Sequence, residues 1–500
     1  PAFLRDLPPI TQPTLTMRTH PSVPGAKLLL VLGKDTAQLQ MAADALALGK
    51  AALSGTSMTV TALEYPPAAR PYDAPRWITS ERPVRLAELV QNLSDLQVRG
   101  ASLNDTVNIA TRMAPDLFTW NAKGVPLNLS YRHTPGSDLD PGALNVFINN
   151  QFIHTYPLAS RGDRSSGNNK LLVPLFDDSN VQAHSDLQIP AFMLGSDNQL
   201  QFAFEIPPND QGHCRSVQPS ERIAAIDPQS TIDLTRFHHY IAMPSLAAYA
   251  NSGFPFTRVA DLAQTSVVLP NQPTPADIQV YLTAVGRMSA STGYPGTRFQ
   301  LLPAAQIAQA RDTDILLVAQ GDRDGVLAQW QKHLPALVAA GTRSVAPLER
   351  ALGSFIQLFQ LESEIQLSTS GGSTTLAGDG PLAAIVGFES PLSAGRSVVA
   401  LTASDGAAMA LIGAGLNDAG KVRQLRGDLG FLRGENIESF RVHPVYFVGD
   451  LPWWQWLWFH LHSHPLLLAL LGIAAGLLVT FVVYIALRAR AARRLSAGHD

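Results

Sequence analysis

The stretch Leu466–Leu487, LLLALLGIAAGLLVTFVVYIAL, decides how the rest of the chain must be arranged. It carries no charged residue, and a helix of this length rises far enough to cross a hydrocarbon core of roughly 30 Å. The alternative, a helix buried in a protein core, would seldom run this far with no residue more polar than Thr480. The stretch therefore predicts a transmembrane helix within residues 465–488.

Positive charge follows this helix at once. Four arginines lie there: Arg488, Arg490, Arg493 and Arg494. The preceding segment, residues 442–464, has no Lys or Arg. The positive-inside rule therefore predicts a cytoplasmic tail at residues 489–500 and a bulk in the periplasm, as in a single-pass protein of a bacterial inner membrane. Since the chain begins at Pro1 and must be exported, we expect a processed or truncated form.

Residues 451–464, just before the helix, hold four of the seven tryptophans. On a helical wheel, one arc carries the large apolar side chains Trp453, Trp454, Leu457, Trp458 and Leu461, and Gln455 and His462 lie opposite. This pattern predicts an amphipathic helix in the membrane interface, with its indoles at headgroup depth. An aromatic belt without regular structure is the alternative.

Two further features lie near the membrane. Gly472 and Gly476 form a GxxxG motif, which lets another helix approach closely and predicts a docking face. His460, His462 and His464 could chelate a metal, but a His-rich strip at the interface is the simpler interpretation. We therefore predict no metal site.

Composition limits the function classes. A chain of 500 residues suggests about two to four domains. A net charge of −3 gives no basis for binding nucleic acid. The 36 prolines and 37 glycines indicate many turns and a substantial β component. A single cysteine, Cys214, excludes a disulfide within the chain.

The soluble part begins with an α/β pattern. Lys27–Gly33 is a continuous apolar run, and a helical pattern follows over residues 35–53. This predicts a buried strand that feeds a helix, the unit of a parallel sheet. We assign residues 1–70 to the C-terminal part of a first α/β domain and residues 71–104 to a linker, with a Pro-rich joint at Tyr65–Pro75.

Residues 105–245 change to short segments in which apolar residues alternate with polar ones. Examples are Leu127–Tyr131, Leu144–Ile148, Lys170–Pro174 and Gln199–Glu205, separated by turn residues. Repeated half-buried strands of this kind predict a β-sandwich of the jelly-roll type.

Residues 246–450 return to an α/β pattern. Four buried strands are predicted, at Thr265–Leu269, Asp314–Ala319, Leu382–Phe388 and Ser397–Thr402. An amphipathic helix is predicted over Pro275–Ala290. The stretch 361–380, rich in Ser, Gly and Thr, predicts a loop.

Motifs for catalysis are missing from the sequence. It contains no GxSxG, HExxH or CxxC, and no GxGxxG follows either early strand. His238 and His239 are interpreted as packing or surface residues. The segment Asp227–Asp233 resembles a calcium loop only in its carboxylates, because it lacks the glycine and the terminal Glu. We therefore predict neither an enzyme nor a cofactor.

The aromatic residues of the predicted sandwich include types that stack on sugar rings, although most aromatics in a sandwich belong to its core. Trp120 and Tyr156 lie beside turns and polar residues, so they are the candidates for sugar contact.

Several long motifs together resemble one family, BcsB, whose members are periplasmic regulatory subunits of bacterial cellulose synthase. They are Asp73–Val84 (DAPRWITSERPV), Phe147–Phe152 (FINNQF), Ile226–Leu234 (IDPQSTIDL), Ala250–Thr265 (ANSGFPFTRVADLAQT) and Leu451–Trp454 (LPWW). The resemblance runs over nearly the whole chain in one order.

The resemblance implies two carbohydrate-binding-like jelly rolls alternating with two flavodoxin-like domains, followed by an interfacial helix and a membrane anchor. It implies a non-catalytic partner of the glycosyltransferase subunit, required for its activity and placed to guide the nascent β-1,4-glucan. The anchor would pack on the catalytic subunit through Gly472 and Gly476. Trp120 and Tyr156 would meet the glucan.

The family is also described as binding cyclic di-GMP. That nucleotide is cytoplasmic, whereas only residues 489–500 of this chain are predicted to face the cytoplasm, so we do not expect direct binding. An alternative function is a periplasmic scaffold that binds copies of itself and no sugar. A carbohydrate-active enzyme would need a pair of carboxylates about 5–9 Å apart, which the sequence does not reveal.

Overall fold

The computed structural model describes most of the chain. The described residues are 9–49, 55–100, 103–120, 122, 124–134, 142–158, 181–189, 196–206, 222–330, 333–334, 383–434, 436–442, 445–462 and 465–496. The predicted strand at 170–174, the predicted loop at 361–380, Cys214 and His464 lie outside them.

The first part is a small antiparallel sheet with one helix. Its strands are β1 (Thr14–Thr19), β2 (Lys27–Leu32) and β3 (Ser57–Thr59), in the order β2-β1-β3. Helix α1 (Thr36–Leu48) begins where the Asp35 side chain accepts the Gln38 amide and ends at Gly49, whose φ is 62°.

The strand followed by a helix is therefore confirmed, but two details of the prediction are wrong. The sheet is antiparallel, and β2 is only partly buried, with Leu29 48% exposed. Since β2 lies at the edge of this sheet, its apolar run has a single neighbouring strand.

The second part is a sandwich of two antiparallel sheets. Ten strands supply it: β4 (Val84–Arg85), β5 (Gln97–Gly100), β6 (Leu103–Arg112), β7 (Val125–His133), β8 (Ala143–Ile148), β9 (Gln151–Pro157), β10 (Val181–Ile189), β11 (Asp197–Ile206), β12 (Arg222–Ile226) and β13 (Thr231–Ile232). One sheet has the order β4-β13-β7-β12-β5, with β10 also paired to β7, and the other has the order β6-β11-β8-β9.

Alternating burial along these strands forms the core of the sandwich. Val125, Leu127 and Leu129 of β7 and Phe202 and Phe204 of β11 are all buried in one cluster. The predicted half-buried strands are thus confirmed in β7, β8 and β11. Strands β4 and β5, from the segment predicted as a linker, are hydrogen-bonded into the first sheet.

The third part contains a seven-stranded sheet. Its strands are β15 (Thr265–Leu269), β16 (Gln300–Pro303), β17 (Asp314–Gln320), β18 (Ala383–Glu389), β19 (Ser397–Ala403), β20 (Leu429–Arg433) and β21 (Asn436–Phe440). Their order is β16-β15-β17-β19-β18-β20-β21. The first four in that order are parallel, and the last three add antiparallel pairs. The four predicted strands are confirmed.

Helices cover this sheet, and a small ladder lies beside it. The helices of this part are α3 (Leu246–Ser252), α4 (Pro275–Thr292), α5 (Val326–Gln329), α6 (Gly406–Asn417) and α7 (Ala419–Val422), while α2 (Leu86–Leu89) belongs to the sandwich. Short 3₁₀ turns lie at Leu93–Leu96, Phe256–Arg258 and Ala304–Ala310. The two-stranded ladder joins β14 (Tyr240–Met243) to β22 (Tyr446–Gly449).

The longest helix over the sheet, α4, is specified locally. Thr274 and Asp277 form a capping box around Pro275, and Gly293 ends the helix at a φ of 68°. Its buried side chains include Val280, Ala284 and Met288, spaced for one helical face. The predicted helix at 275–290 is confirmed.

Two helices end the described chain. Helix α8 (Trp453–His462) and helix α9 (Pro465–Ser496) fall where the sequence predicts an amphipathic helix and a transmembrane helix.

Candidate functional site

Helix α9 is long and apolar enough to cross a membrane. Its segment Leu468–Arg490 has 23 residues and a mean hydropathy of 2.6, and none of the described parts of the chain buries it. The hydroxyl of Thr480 donates to the Gly476 carbonyl at 2.8 Å, which satisfies a polar group that a bilayer could not hydrate.

One face of α9 is open to close approach. A Cβ atom added at Gly472 or Gly476 would meet no atom within 4 Å. Arg488 and Arg490 are exposed near the end of the apolar segment. Arg493 and Arg494 belong to the same helix, while their side chains lie outside what the structure describes. The helix therefore presents a small-residue face and ends in positive charge.

Helix α8 turns its apolar arc away from the protein. Trp453, Trp454, Leu457 and Trp458 are 73%, 57%, 46% and 52% exposed, and Leu461 is half-buried. A surface helix of a soluble protein would normally bury such a stripe. The arc is thus left for an apolar environment outside the chain.

The opposite face of α8 packs on a group of rings that we call the aromatic seat, formed by Phe118, Trp120, Tyr240 and Phe447. The ring of Phe459 lies 5.1, 5.6, 6.1 and 6.0 Å from these four, each contact close to perpendicular. His462 also lies on Trp120, at 5.5 Å. These contacts fix which face of α8 points outward.

The seat draws on both large parts of the chain. Phe118 and Trp120 follow strand β6 of the sandwich, whereas Tyr240 and Phe447 lie on the paired strands β14 and β22. The Tyr240 hydroxyl is 3.0 Å from Nε2 of His460. Burial raises the pKa of Tyr240, so this hydroxyl keeps its proton at neutral pH.

The two residues predicted to contact sugar have different surroundings. Trp120 belongs to the aromatic seat, a contact that its sequence neighbours did not indicate. Tyr156, on β9, lies 6.2 Å from Tyr131 and 4.6 Å from His154 and packs against the sandwich core. The structure therefore does not bring the two rings into contact.

Four polar side chains meet next to the seat. His239 Nδ1 lies 2.9 Å from Asp116, and its Nε2 lies 2.7 Å from the Ser80 hydroxyl. Tyr72 stacks on the imidazole at 3.5 Å and donates its hydroxyl to Asp116 at 2.5 Å. Burial and the charge of Asp116 raise the pKa of Tyr72, so it remains a neutral donor. The sequence predicted only a packing or surface role for His239 and did not reveal this cluster.

Other predicted sites take up local structural roles. Asp227 accepts the Gln229 amide in a turn and pairs with Arg132 at 2.9 Å. Among the described residues, no group of three or more His, Cys, Asp or Glu side chains is placed to hold a metal ion.

The carboxyl edge of the parallel strands is where open α/β sheets bind ligands. Here the polar groups on that edge pair with one another. Asn271 donates to Asp324 at 2.7 Å, Thr274 to Gln320 at 3.1 Å, and Arg323 to Asp277 at 2.7 Å. The loops after β15 and β17 are therefore tied together across the edge.

Three family models match the chain. They are "Cellulose synthase BcsB, first FD domain" at residues 1–60, "Cellulose synthase BcsB, second CBM domain" at 83–231 and "Cellulose synthase BcsB, second FD domain" at 239–401. Together they follow the three parts of the fold in order.

Relatives that match nearly the whole of this chain point to the same family. A "Cyclic di-GMP-binding protein" of Salmonella typhi is 35% identical over 506 residues, covering 100% of this chain and 64% of that protein. One of Xanthomonas axonopodis pv. citri is 36% identical, covering 98% and 62%. "Cellulose synthase 1" of Novacetimonas hansenii is 32% identical, covering 99% of this chain and 32% of that protein. The chain thus spans less than two thirds of each of these relatives.

Proposed function

Because the chain belongs to the BcsB family of cellulose synthase subunits, we propose that it is the non-catalytic, membrane-anchored subunit that docks on the glycosyltransferase and supports its activity. In this proposal the bulk lies in the periplasm of a bacterial inner membrane, and the C-terminus is cytoplasmic. The relatives named for cyclic di-GMP and for cellulose synthase both support a place in this assembly.

The outward apolar arc of α8, continuous in sequence with the apolar helix α9, carries the proposal. A free-standing protein would leave both surfaces in water, where each large apolar side chain forfeits about 1.5–3 kcal/mol of burial energy. The pair instead fits a bilayer, with α8 along its surface and α9 across it. The open face at Gly472 and Gly476 then suits a helix of the catalytic subunit.

The soluble parts would form a cover over the exit of the glucan. We propose that the sandwich is a jelly roll that guides the nascent glucan, with Trp120 and Tyr156 as the residues to test. The α/β part has the strand sequence 2-1-3 at one edge of its sheet, which is the flavodoxin order, before its antiparallel strands depart from it. We assign this part a structural role, because the polar groups at its carboxyl edge already pair with one another.

Direct nucleotide binding is not part of the proposed role. The names of several relatives give cyclic di-GMP as their ligand. In the proposed orientation only residues 489–500 of this chain reach the cytoplasm, where that nucleotide is made, and the described α/β edge is internally paired.

The docking face can be tested in membranes that hold both subunits. Replacing Gly472 and Gly476 with Leu fills the open face, so we expect the glycosyltransferase no longer to co-purify and glucan synthesis from UDP-glucose to fall at least about tenfold, equivalent to roughly 1.4 kcal/mol. Ala474→Leu places a leucine side chain on the other side of the helix and is the control for added bulk as such.

Deletion of residues 451–500 from the exported protein should abolish synthesis by the complex. Full synthesis by the deletion variant, or by the double Leu variant, would contradict the proposal. If both variants still co-purify but cross-link through the sandwich to other copies, the periplasmic scaffold becomes the better account.

A further inference from the structure

The cluster beside the aromatic seat has the geometry of a nucleophile, a base and an orienting acid. Ser80 Oγ lies 2.7 Å from Nε2 of His239, and Nδ1 lies 2.9 Å from Oδ1 of Asp116. An ionised carboxylate only accepts hydrogen bonds, so Nδ1 carries the imidazole proton. Nε2 is then the acceptor of the Ser80 hydroxyl proton, which is the arrangement that activates a serine.

The base and the acid are held rigidly. Asp116 is 1% exposed, and its second oxygen accepts the Tyr72 hydroxyl. The Tyr72 ring lies parallel to the imidazole, with an angle of 10° between their planes. The backbone adds a bridge between Leu117 and His239, and the Tyr240 amide donates to the Asp116 carbonyl at 2.7 Å. The imidazole therefore cannot rotate without breaking several contacts.

The serine is placed differently from its neighbours. Trp77, Ile78 and Thr79 are buried, whereas Ser80 lies on a bend and is half-buried. The Glu81 amide donates to the Thr79 hydroxyl. Within the part of the chain that the structure describes, the amide of Ser80 itself has no acceptor. In serine hydrolases the amide of the nucleophile is one of the donors that stabilise the oxyanion.

We propose that Ser80, His239 and Asp116 form an acyl-transfer site that hydrolyses carboxylic esters with a small acyl group. This activity is separate from glucan polymerisation and does not depend on the proposed function. The chain order Ser, Asp, His is one of those in which such triads occur. This sequence has that order but lacks the GxSxG motif. Limited access restricts the acyl group to a small one, because the His239 side chain is only 16% exposed.

The reaction balances with water as the only co-reactant. Ser80 Oγ attacks the ester carbonyl carbon while its proton passes to Nε2 of His239. The C–O bond to the alcohol breaks, and His239 returns the proton to the leaving oxygen. Water then attacks the acyl-Ser80 carbon, its proton passes through Nε2 to Ser80 Oγ, and the carboxylic acid leaves.

The test uses the full chain in detergent micelles with two probes. A fluorophosphonate should label Ser80, identified by peptide mass, and 4-nitrophenyl acetate should be hydrolysed with saturation. We expect Ser80→Ala and His239→Gln each to abolish labelling and to lower kcat/KM by at least about 100-fold. Ser94→Ala, which removes an exposed serine elsewhere, should change neither.

Either of two results overturns the proposal. One is the absence of a label on Ser80 in the wild-type chain. The other is hydrolysis that Ser80→Ala leaves unchanged, which would assign it to surface nucleophiles. Thermal unfolding of each variant separates loss of fold from loss of chemistry. Because Ser80 is half-buried and Ala removes only its hydroxyl oxygen, that variant should keep its fold even if His239→Gln does not.

Discussion

At the scale of single residues, His133 on strand β7 is a buried imidazole with one unmet hydrogen bond. Its Nδ1 lies 3.2 Å from the Thr134 carbonyl, and its Nε2 is buried with no hydrogen-bond partner among the described residues. Burial lowers the pKa of His133 to about 4, because a charge at Nε2 would have neither water nor an acceptor. The folded sandwich therefore holds His133 neutral.

This histidine predicts acid sensitivity. Since the folded pKa lies below the ordinary value of 6.5, the unfolded chain binds the proton more readily, and the folded state loses stability as pH falls from about 6.5 to 4. The free energy of unfolding falls by an amount on the order of 3 kcal/mol once the pH is below both the folded and the unfolded pKa of His133. Thermal unfolding measured between pH 7 and pH 4 should show it.

The matched variants are His133→Gln, which cannot titrate, and His154→Gln, which removes an exposed imidazole from the same sandwich. We expect a shallower fall of Tm with acid in the first variant and an unchanged fall in the second. Equal slopes in all three proteins would show that His133 is not the group responsible.

At the scale of elements, local signals account for what the sequence predicted well. Every residue of β15 is buried, so its apolar run stands out, and α4 carries a capping box at its start and a glycine at its end. The partners of an element were harder to predict. Strand β2 has the apolar run of a buried parallel strand, yet it pairs antiparallel with β1 at a sheet edge. Its own residues do not determine the direction of its neighbouring strand.

Helix α8 should lie on the bilayer surface with its tryptophan arc facing the lipid. In nanodiscs that contain lipids brominated near the headgroup, we expect quenching of tryptophan emission by the outward indoles Trp453, Trp454 and Trp458. Replacing these three with Phe should remove most of the quenching. Replacing Trp77 and Trp330, which are 5% and 4% exposed inside the protein, should leave it unchanged.

Undiminished quenching in the triple variant would show that α8 does not lie at the membrane. If quenching is lost both in the triple variant and in the Trp77 and Trp330 control variant, unfolding is the cause. The near-ultraviolet circular dichroism spectrum of each variant distinguishes these cases.

At the scale of the whole molecule, the sequence predicted the order of the parts but not how they meet. The outward arc of α8 follows from its own helical spacing. Its seat could not be predicted, because Phe118, Tyr240 and Phe447 come from distant segments and have no shared motif. The Ser80, Asp116 and His239 cluster was missed for the same reason, since these residues are far apart in the sequence and backbone contacts such as the bridge between Leu117 and His239 bring their segments together.

The proposed orientation is testable with cysteine labelling. In a Cys214→Ser background behind a secretion leader, Ser94→Cys should react with a membrane-impermeant maleimide in spheroplasts. Ser496→Cys should react only after the membrane is opened, because the arginines in the last turns of α9 are expected to hold that end in the cytoplasm. Labelling of Ser496→Cys in sealed cells would show that the C-terminus is periplasmic and would contradict the proposed orientation.

The aromatic seat also couples the placement of α8 to the folding of two distant parts of the chain. Trp120 comes from the sandwich and Phe447 from the last strand before α8, so neither part holds the helix alone. A chain misfolded in either part has no fixed place for α8. The orientation of the tryptophan arc toward its surroundings therefore depends on the correct folding of both parts.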